Sequence, residues 1–171
     1  GLTYRLLGPA EPLARAIVWQ DRRTADFCDA LRAAGHEAAI QQATGLLLDP
    51  YFSASKVRWL LDNDPAVSGA AARGTLALGT IESWLVWNLT GGAHLTDASN
   101  ASRTQLLGLT GAGWDEGLCE LFGVPRAALG QIVDTQGAHA STAPGLFGTA
   151  IPITGMAGDQ QAATIGQNCL A

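Results

Sequence analysis

The sequence predicts a helix-rich α/β domain. Three observations carry that reading. Apolar residues recur at helical spacing in several segments, and most of these close on a glycine or proline. Apolar runs that suit strands are few and short, at residues 16–19, 76–78 and 151–153. Hydrophobic residues make up 47% of the 171 residues. That is enough for one domain with its own core, since a chain of about 150 residues buries roughly 70% of the surface it exposes when unfolded. A parallel α/β sheet that lacks some of its strands fits this balance.

Residues 16–19 read as a strand end. Over 24–34, Phe27, Ala30, Leu31 and Ala34 form one helical stripe, and Gly35 stops it. Residues 36–43 make a second helix closed by Gly45. Asp49-Pro50 breaks the chain, because the residue before a proline is biased away from helix. Ser53 then reads as the N-cap of a helix that runs to Leu61, with Val57, Leu60 and Leu61 facing inward. Residues 63–65 end it. Residues 76–78 form a strand, and Thr80 caps an amphipathic helix over 81–89 that carries Trp84, Leu85 and Trp87. Gly91-Gly92 terminates that helix. Residues 97–103 are polar and read as irregular. Trp114, Leu118, Leu121 and Phe122 place a helix over 114–122, closed by Gly123. Residues 141–149 form a loop, residues 151–153 a buried strand, and residues 159–170 a last helix.

Composition excludes several functions. The net charge is −5, and the ten basic residues are nine arginines and Lys56. They are scattered, with Arg22-Arg23 the only adjacent pair, so no basic face is available for nucleic acid. No run of about 18 apolar residues exists, so no membrane span is expected. Cys28, Cys119 and Cys169 form no C-x-x-C pair and no His/Cys cluster for zinc, which fits a reducing, cytoplasmic setting. Charged residues are only 15%, against about 25% in an average soluble chain. Either more protein covers this surface, or alanine and glycine replace the usual lysine and glutamate. Gly1 at the start and a helix at the very end suggest a piece of a larger protein.

Local chemistry points to three segments. In Ile151-Pro152-Ile153-Thr154-Gly155-Met156-Ala157-Gly158-Asp159-Gln160, a strand runs through small residues into an acid-amide pair at a helix start. Ligands of open α/β sheets bind at such carboxyl ends. A carboxylate there is favoured in its charged form by the helix N-terminus and can accept a proton from a substrate hydroxyl. From this stretch alone Asp159 also reads as a plain N-cap, for which aspartate is a favoured residue. Trp19 can wall a small polyol site by covering its carbons, or it can be a core residue. Asp21 with Arg22 and Arg23 makes at most a surface ion pair worth under about 1 kcal/mol. Tyr51, just before a helix, can present its hydroxyl to a ligand. Lys56 reads as an exposed helix lysine, and Trp59 as packing. The chain has no G-x-x-x-x-G-K-[ST] loop and no G-x-S-x-G elbow. His36, His94 and His139 lie far apart in sequence, and none is given a catalytic role.

Taken together, five segments resemble one family, the FGGY carbohydrate kinases. They are IVWQDRRTAD (17–26), TGLLLDPYFSASKVRWLLDN (44–63), LGTIESWLVWNLTGG (78–92), LTDASNASRT (95–104) and IPITGMAGDQQAA (151–163). They cover nearly the whole chain in the family's order. The WQDRR, DPYFS and GDQQAA forms resemble the glycerol-using branch more than the pentulose kinases.

The resemblance implies a ribonuclease H-like, actin-like ATPase lobe, here incomplete and helix-rich. Residues 1–171 would be the substrate-binding part of the family's N-terminal domain. The implied activity of the full-length protein is ATP-dependent phosphorylation of glycerol, with ATP and Mg2+ as cofactors and a homo-oligomeric state. Carried over by motif, Trp19 would wall the glycerol carbons and Tyr51 would bind a hydroxyl. Asp159 would be the general base and Gln160 would hydrogen-bond glycerol. No residue of this chain is expected to ligate metal. The family's Asp-Gly-Thr phosphate segment, its glycerol-binding Arg-Glu pair and its adenine-binding lobe are not in the chain, so these 171 residues alone are expected to be inactive. Ala150 stands where many relatives carry the arginine that helps bind fructose 1,6-bisphosphate, which argues against that inhibition. The alternatives are another FGGY polyol or pentulose kinase, and a non-catalytic polyol-binding or scaffold relative.

Overall fold

The computed structural model describes residues 12–111 and 113–169, and residues 2–6 by their backbone alone. Strand β1 (Leu2–Leu6) pairs antiparallel with β2 (Leu76–Thr80), with Leu6 opposite Leu76 and Leu2 opposite Thr80. Between them lie helices α1 (Ala25–Ala33), α2 (Glu37–Thr44), α3 (Ser53–Asn63) and α4 (Pro65–Ala72). Helix α5 (Ile81–Thr90) follows β2 directly, then β3 (Leu95–Asp97) and the single turn α6 (Ala98–Ala101). Helix α7 (Glu116–Phe122) leads to β4 (Gln131–Val133), which pairs parallel with β3. Strand β5 (Gln136–Ser141) and β6 (Pro152–Gly155) pair antiparallel around α8 (Pro144–Phe147), and α9 (Asp159–Gly166) follows β6.

Among the described residues the expected parallel sheet is instead three two-stranded pairs, two of them antiparallel. A parallel bridge between Leu78 and Leu129 links β2 to the segment before β4. Residues 16–19 are not a strand end. Only Ile17 makes a β-bridge, and the chain then turns as Asp21 N–H donates to the Val18 carbonyl at 3.1 Å.

Helix ends follow local chemistry. Gly45 and Gly91 sit at φ 70° and 78°, left-handed conformations that end α2 and α5 at little steric cost. Ser53 is the first residue of α3, and extended Phe52 is the cap position. Helix α4 was not expected. Asp64 caps it by accepting the Ala66 N–H at 2.9 Å, and Pro65 fits the first turn. Residues 97–103 are not irregular, because Asp97 caps α6 through the Ser99 and Asn100 N–H groups. Helix α7 begins two residues after Trp114, at an Asp115 cap.

The core gathers on α1, α3, α4, α7 and β2, with Cys28, Val57, Val67, Leu78 and Phe122 at its centre. The α1 stripe is Phe27, Cys28 and Leu31, while Ala30 and Ala34 are exposed. Gly79 lets α5 fold back closely on β2, since a Cβ there would lie 2.5 Å from the Ser83 Cβ. That close approach fixes the first turn of α5. Strand β6 is not buried, as Ile151 and Pro152 are exposed and Ile153 half-buried. Among the described residues no helix is long and apolar enough to cross a membrane.

Phe122 is fully buried and meets Phe27 at a ring distance of 6.2 Å. Phe122→Ala is expected to lower unfolding free energy by about 4 kcal/mol, and Asp64→Ala by about 1 kcal/mol. Urea midpoints of the two variants check this ordering; an equal or smaller loss for Phe122→Ala would contradict the core as described.

Candidate functional site

One open cleft of about 950 Å³ runs between the loop before α3, the start of α5, the end of α6 and the start of α9. Trp19, Tyr51, Asp159 and Gln160 all line it. The structure thus brings together residues that are as much as 141 positions apart, from Trp19 to Gln160.

Trp19 and Tyr51 form the aromatic wall. Their ring centroids are 5.6 Å apart with a 50° tilt, and Tyr51 packs edge-on against Phe52 at 5.0 Å. Both rings keep exposed surface, 54% for Trp19 and 43% for Tyr51. A tilted aromatic pair with open faces can cover the carbons of a small ligand while the phenol hydroxyl stays free to hydrogen-bond.

The loop that presents Tyr51 is held from below by a lysine. Lys56 is only 2% exposed, and its ammonium donates to the Pro50 carbonyl. Burial pushes its pKa down, and the nearby Asp21 and Asp49 charges push the other way. The expectation of an exposed helix lysine is corrected. At that turn of α3 the side chain points under the Asp49-Pro50-Tyr51 turn, where the Tyr51 N–H also donates to Asp49 Oδ1 at 2.7 Å. Beside it, the Arg23 guanidinium grips the Asp21 carboxylate at 2.7–3.0 Å and holds its pKa near 2. Arg23 also stacks over Trp59 at 4.5 Å.

Asp159 is the first residue of α9, and Gly158 takes the cap position. The plain N-cap alternative for Asp159 therefore does not describe it. Its exposed carboxylate accepts the Gln160 N–H at 2.9 Å. Helix α9 buries none of its residues, so Asp159, Gln160 and Gln161 project along the cleft rather than into a core.

Two further charged residues line the cleft and had no distinct signal in the sequence. Glu82 lies in the first turn of α5, the helix read from the sequence as amphipathic. It is buried, whereas Ile81 and Leu85 are exposed at 52% and 54%. Both apolar side chains line the cleft. Glu82 Oε2 accepts the Thr96 hydroxyl at 2.9 Å and Oε1 the Asp97 N–H at 3.2 Å. Burial, aided by the Asp97 charge, raises its pKa to about 7 against the opposing hydrogen bonds. Arg103 is the only cation among the described cleft residues, and it lies over Phe52 at 5.1 Å and Tyr51 at 5.9 Å. The Asp97-Ala98-Ser99-Asn100 run did carry a readable signal, that of an N-cap.

The comparisons with known proteins converge. The model of the N-terminal domain of the FGGY family of carbohydrate kinases matches residues 9–166. A glycerol kinase of Rhodospirillum rubrum is 56% identical over 160 residues, which are 93% of this chain and 32% of that protein. A glycerol kinase of Alcanivorax borkumensis is 57% identical over 162 residues, 94% of this chain and 33% of its own. The crystal structure of Plasmodium falciparum glycerol kinase with ADP superposes with a TM-score of 0.93 at 35% identity, over 98% of this chain and 34% of that one. A xylulose kinase from Rhodospirillum rubrum shares the fold, with a TM-score of 0.82 at 24% identity over 95% of this chain and 34% of that one. The chain spans about a third of the length of the curated relatives it matches.

Glu82 generates a testable pH dependence. A carboxyl whose pKa is raised on folding favours the folded state below its unfolded value near 4.5, and that support is lost as pH rises through about 7. Between pH 5 and 8 the protein is expected to lose about 2 kcal/mol of stability relative to Glu82→Gln. Parallel stability curves for the two proteins over that range would contradict a buried, protonated Glu82.

Proposed function

Because this chain belongs to the FGGY family of carbohydrate kinases, we propose that it is the substrate-binding part of an N-terminal domain whose full-length protein phosphorylates glycerol with ATP. The observation that carries this reading is the convergence of Asp159, Trp19 and Tyr51 on one cleft. Relatives named glycerol kinase, 52–57% identical to this chain, support the choice of polyol.

In this reading the three glycerol carbons lie against the Trp19 and Tyr51 rings. The Tyr51 hydroxyl and the Gln160 amide hold hydroxyl groups. Asp159 faces the terminal hydroxyl that reacts. That hydroxyl's oxygen attacks the γ-phosphorus of ATP in line. The bond to the bridging oxygen breaks, ADP leaves with the electron pair, and the hydroxyl proton passes to the Asp159 carboxylate. Positioning and charge stabilisation supply most of the rate in such transfers, and proton acceptance adds a share.

The nucleotide supplies the phosphoryl group, and a magnesium ion would offset the charge that builds on it during transfer. Among the described residues no group of three or more His, Cys, Asp or Glu is arranged to hold a metal ion. Ala150 offers no guanidinium for a bisphosphate inhibitor, which supports a kinase free of that control.

In the full-length protein, Asp159→Asn is expected to lower kcat about a hundredfold or more while the glycerol KM stays within about threefold. A coupled assay of ADP release checks it, and kcat within about threefold of wild type would remove Asp159 from the base role. A panel of glycerol, tetritols and pentuloses tests the substrate. Higher kcat/KM on a pentulose would overturn the glycerol assignment.

A further inference from the structure

The short loop that carries Asp159 into α9 is anchored twice, and both anchors reach the same oxygen atom. Gly158 N–H donates to Ser99 Oγ at 2.7 Å, and Ser99 Oγ donates to Asp97 Oδ2 at 2.6 Å. Two residues earlier, Met156 N–H donates to the Thr135 carbonyl at 2.9 Å. The Thr135 hydroxyl donates to that same Asp97 Oδ2 at 2.7 Å. A serine hydroxyl has one proton, so giving it to Asp97 turns a lone pair toward Gly158 and fixes the direction of the contact.

Asp97 itself cannot drift. It is 0% exposed, and its other oxygen accepts the Asn100 N–H and side-chain amide, each at 2.9 Å. Burial pushes its pKa up, but the hydrogen bonds from Ser99, Thr135 and Asn100 together outweigh that and keep it below the usual carboxylate range. Helix α9 buries none of its own residues. Within the described residues, the start of α9 is therefore set by these anchors, by the buried Met156 and by the β5–β6 pairing that runs to Gly155, rather than by packing of the helix.

We propose that Asp97, acting through Ser99 and Thr135, is the positioning carboxylate for Asp159. It sets where α9 begins, and so how far the Asp159 carboxylate stands from the reacting hydroxyl. The inference rests on the reading of Asp159 as the base. Asp97, Ser99 and Thr135 do not line the cleft, so a positioning effect is expected to appear in kcat rather than in the glycerol KM. A misplacement of about 1 Å in a reacting geometry can cost on the order of a hundredfold in rate.

The test is a set of variants of the full-length protein assayed on glycerol, with melting temperatures measured alongside. Ser99→Ala and Thr135→Val are each expected to lower kcat about tenfold or more, with the glycerol KM within about threefold. Thr135→Ser, which keeps the hydroxyl, is expected to restore kcat to within about twofold. In an Asp159→Asn background, neither Ser99→Ala nor Thr135→Val should lower kcat further, because the group they position is already gone. Wild-type kcat in both single variants would overturn the proposal. So would an equal fold-loss with and without Asp159, or a failure of Thr135→Ser to rescue. If Ser99→Ala does not fold, the Thr135→Val and Thr135→Ser pair decides alone. A near-normal kcat in Asp159→Asn itself would instead remove the base reading, which distinguishes the two failures.

Discussion

The cleft depends on one buried charge. Taking a carboxylate out of water is costly unless hydrogen bonds replace the lost hydration. Asp97 meets that condition with five donors: the N–H groups of Ser99 and Asn100, the hydroxyls of Ser99 and Thr135, and the Asn100 amide. Those donors come from α6, from the segment after β4, and, through Ser99, from the loop before α9. A single satisfied group thereby ties together three parts of the chain. It also bears on Glu82. Burial is the main cause that raises the Glu82 carboxyl to about 7, and the ionised Asp97 next door adds to it by disfavouring a second negative charge.

On this support the chain builds a wall and a floor of different chemistry. Trp19, Tyr51, Ile81 and Leu85 offer apolar surface to the cleft, while Asp159, Gln160, Asn100 and Arg103 offer polar groups. A polyol has this dual character, with carbons to cover and hydroxyls to bind. The exposed isoleucine and leucine of α5 belong to the cleft wall, which explains apolar side chains left in contact with solvent. Buried Lys56 serves the same end from another direction, since it fixes the turn that presents Tyr51.

Much of this was legible in the sequence, and the failures have physical causes. Helices α1, α2, α3 and α5 were found because glycine, proline and capping residues mark their ends. The strand-to-small-residue-to-acid pattern at 151–159 put Asp159 at a helix start, where the structure has it. Strand pairing was not legible, since short strands carry no information on which partner they take. Helix α4 was missed because its alanines, glycine and single valine give no stripe. The facing of helix α5 is not legible in the sequence because a cleft reverses the usual rule: it exposes Leu85 and buries Glu82 against Thr96 and the Asp97 backbone. Lys56 was misjudged for a related reason, as nothing in the sequence shows a carbonyl waiting beneath a turn.

In the proposed function a three-carbon alcohol lies between the indole of Trp19 and the carboxylate of Asp159. The most direct measurement is a crystal structure of the full-length protein grown with glycerol and a non-hydrolysable ATP analogue. The expected result is glycerol carbons against Trp19, a hydroxyl within hydrogen-bond distance of Tyr51 or Gln160, and the terminal hydroxyl about 3 Å from an Asp159 oxygen. Glycerol bound elsewhere, with Asp159 far from any of its hydroxyls, would contradict it.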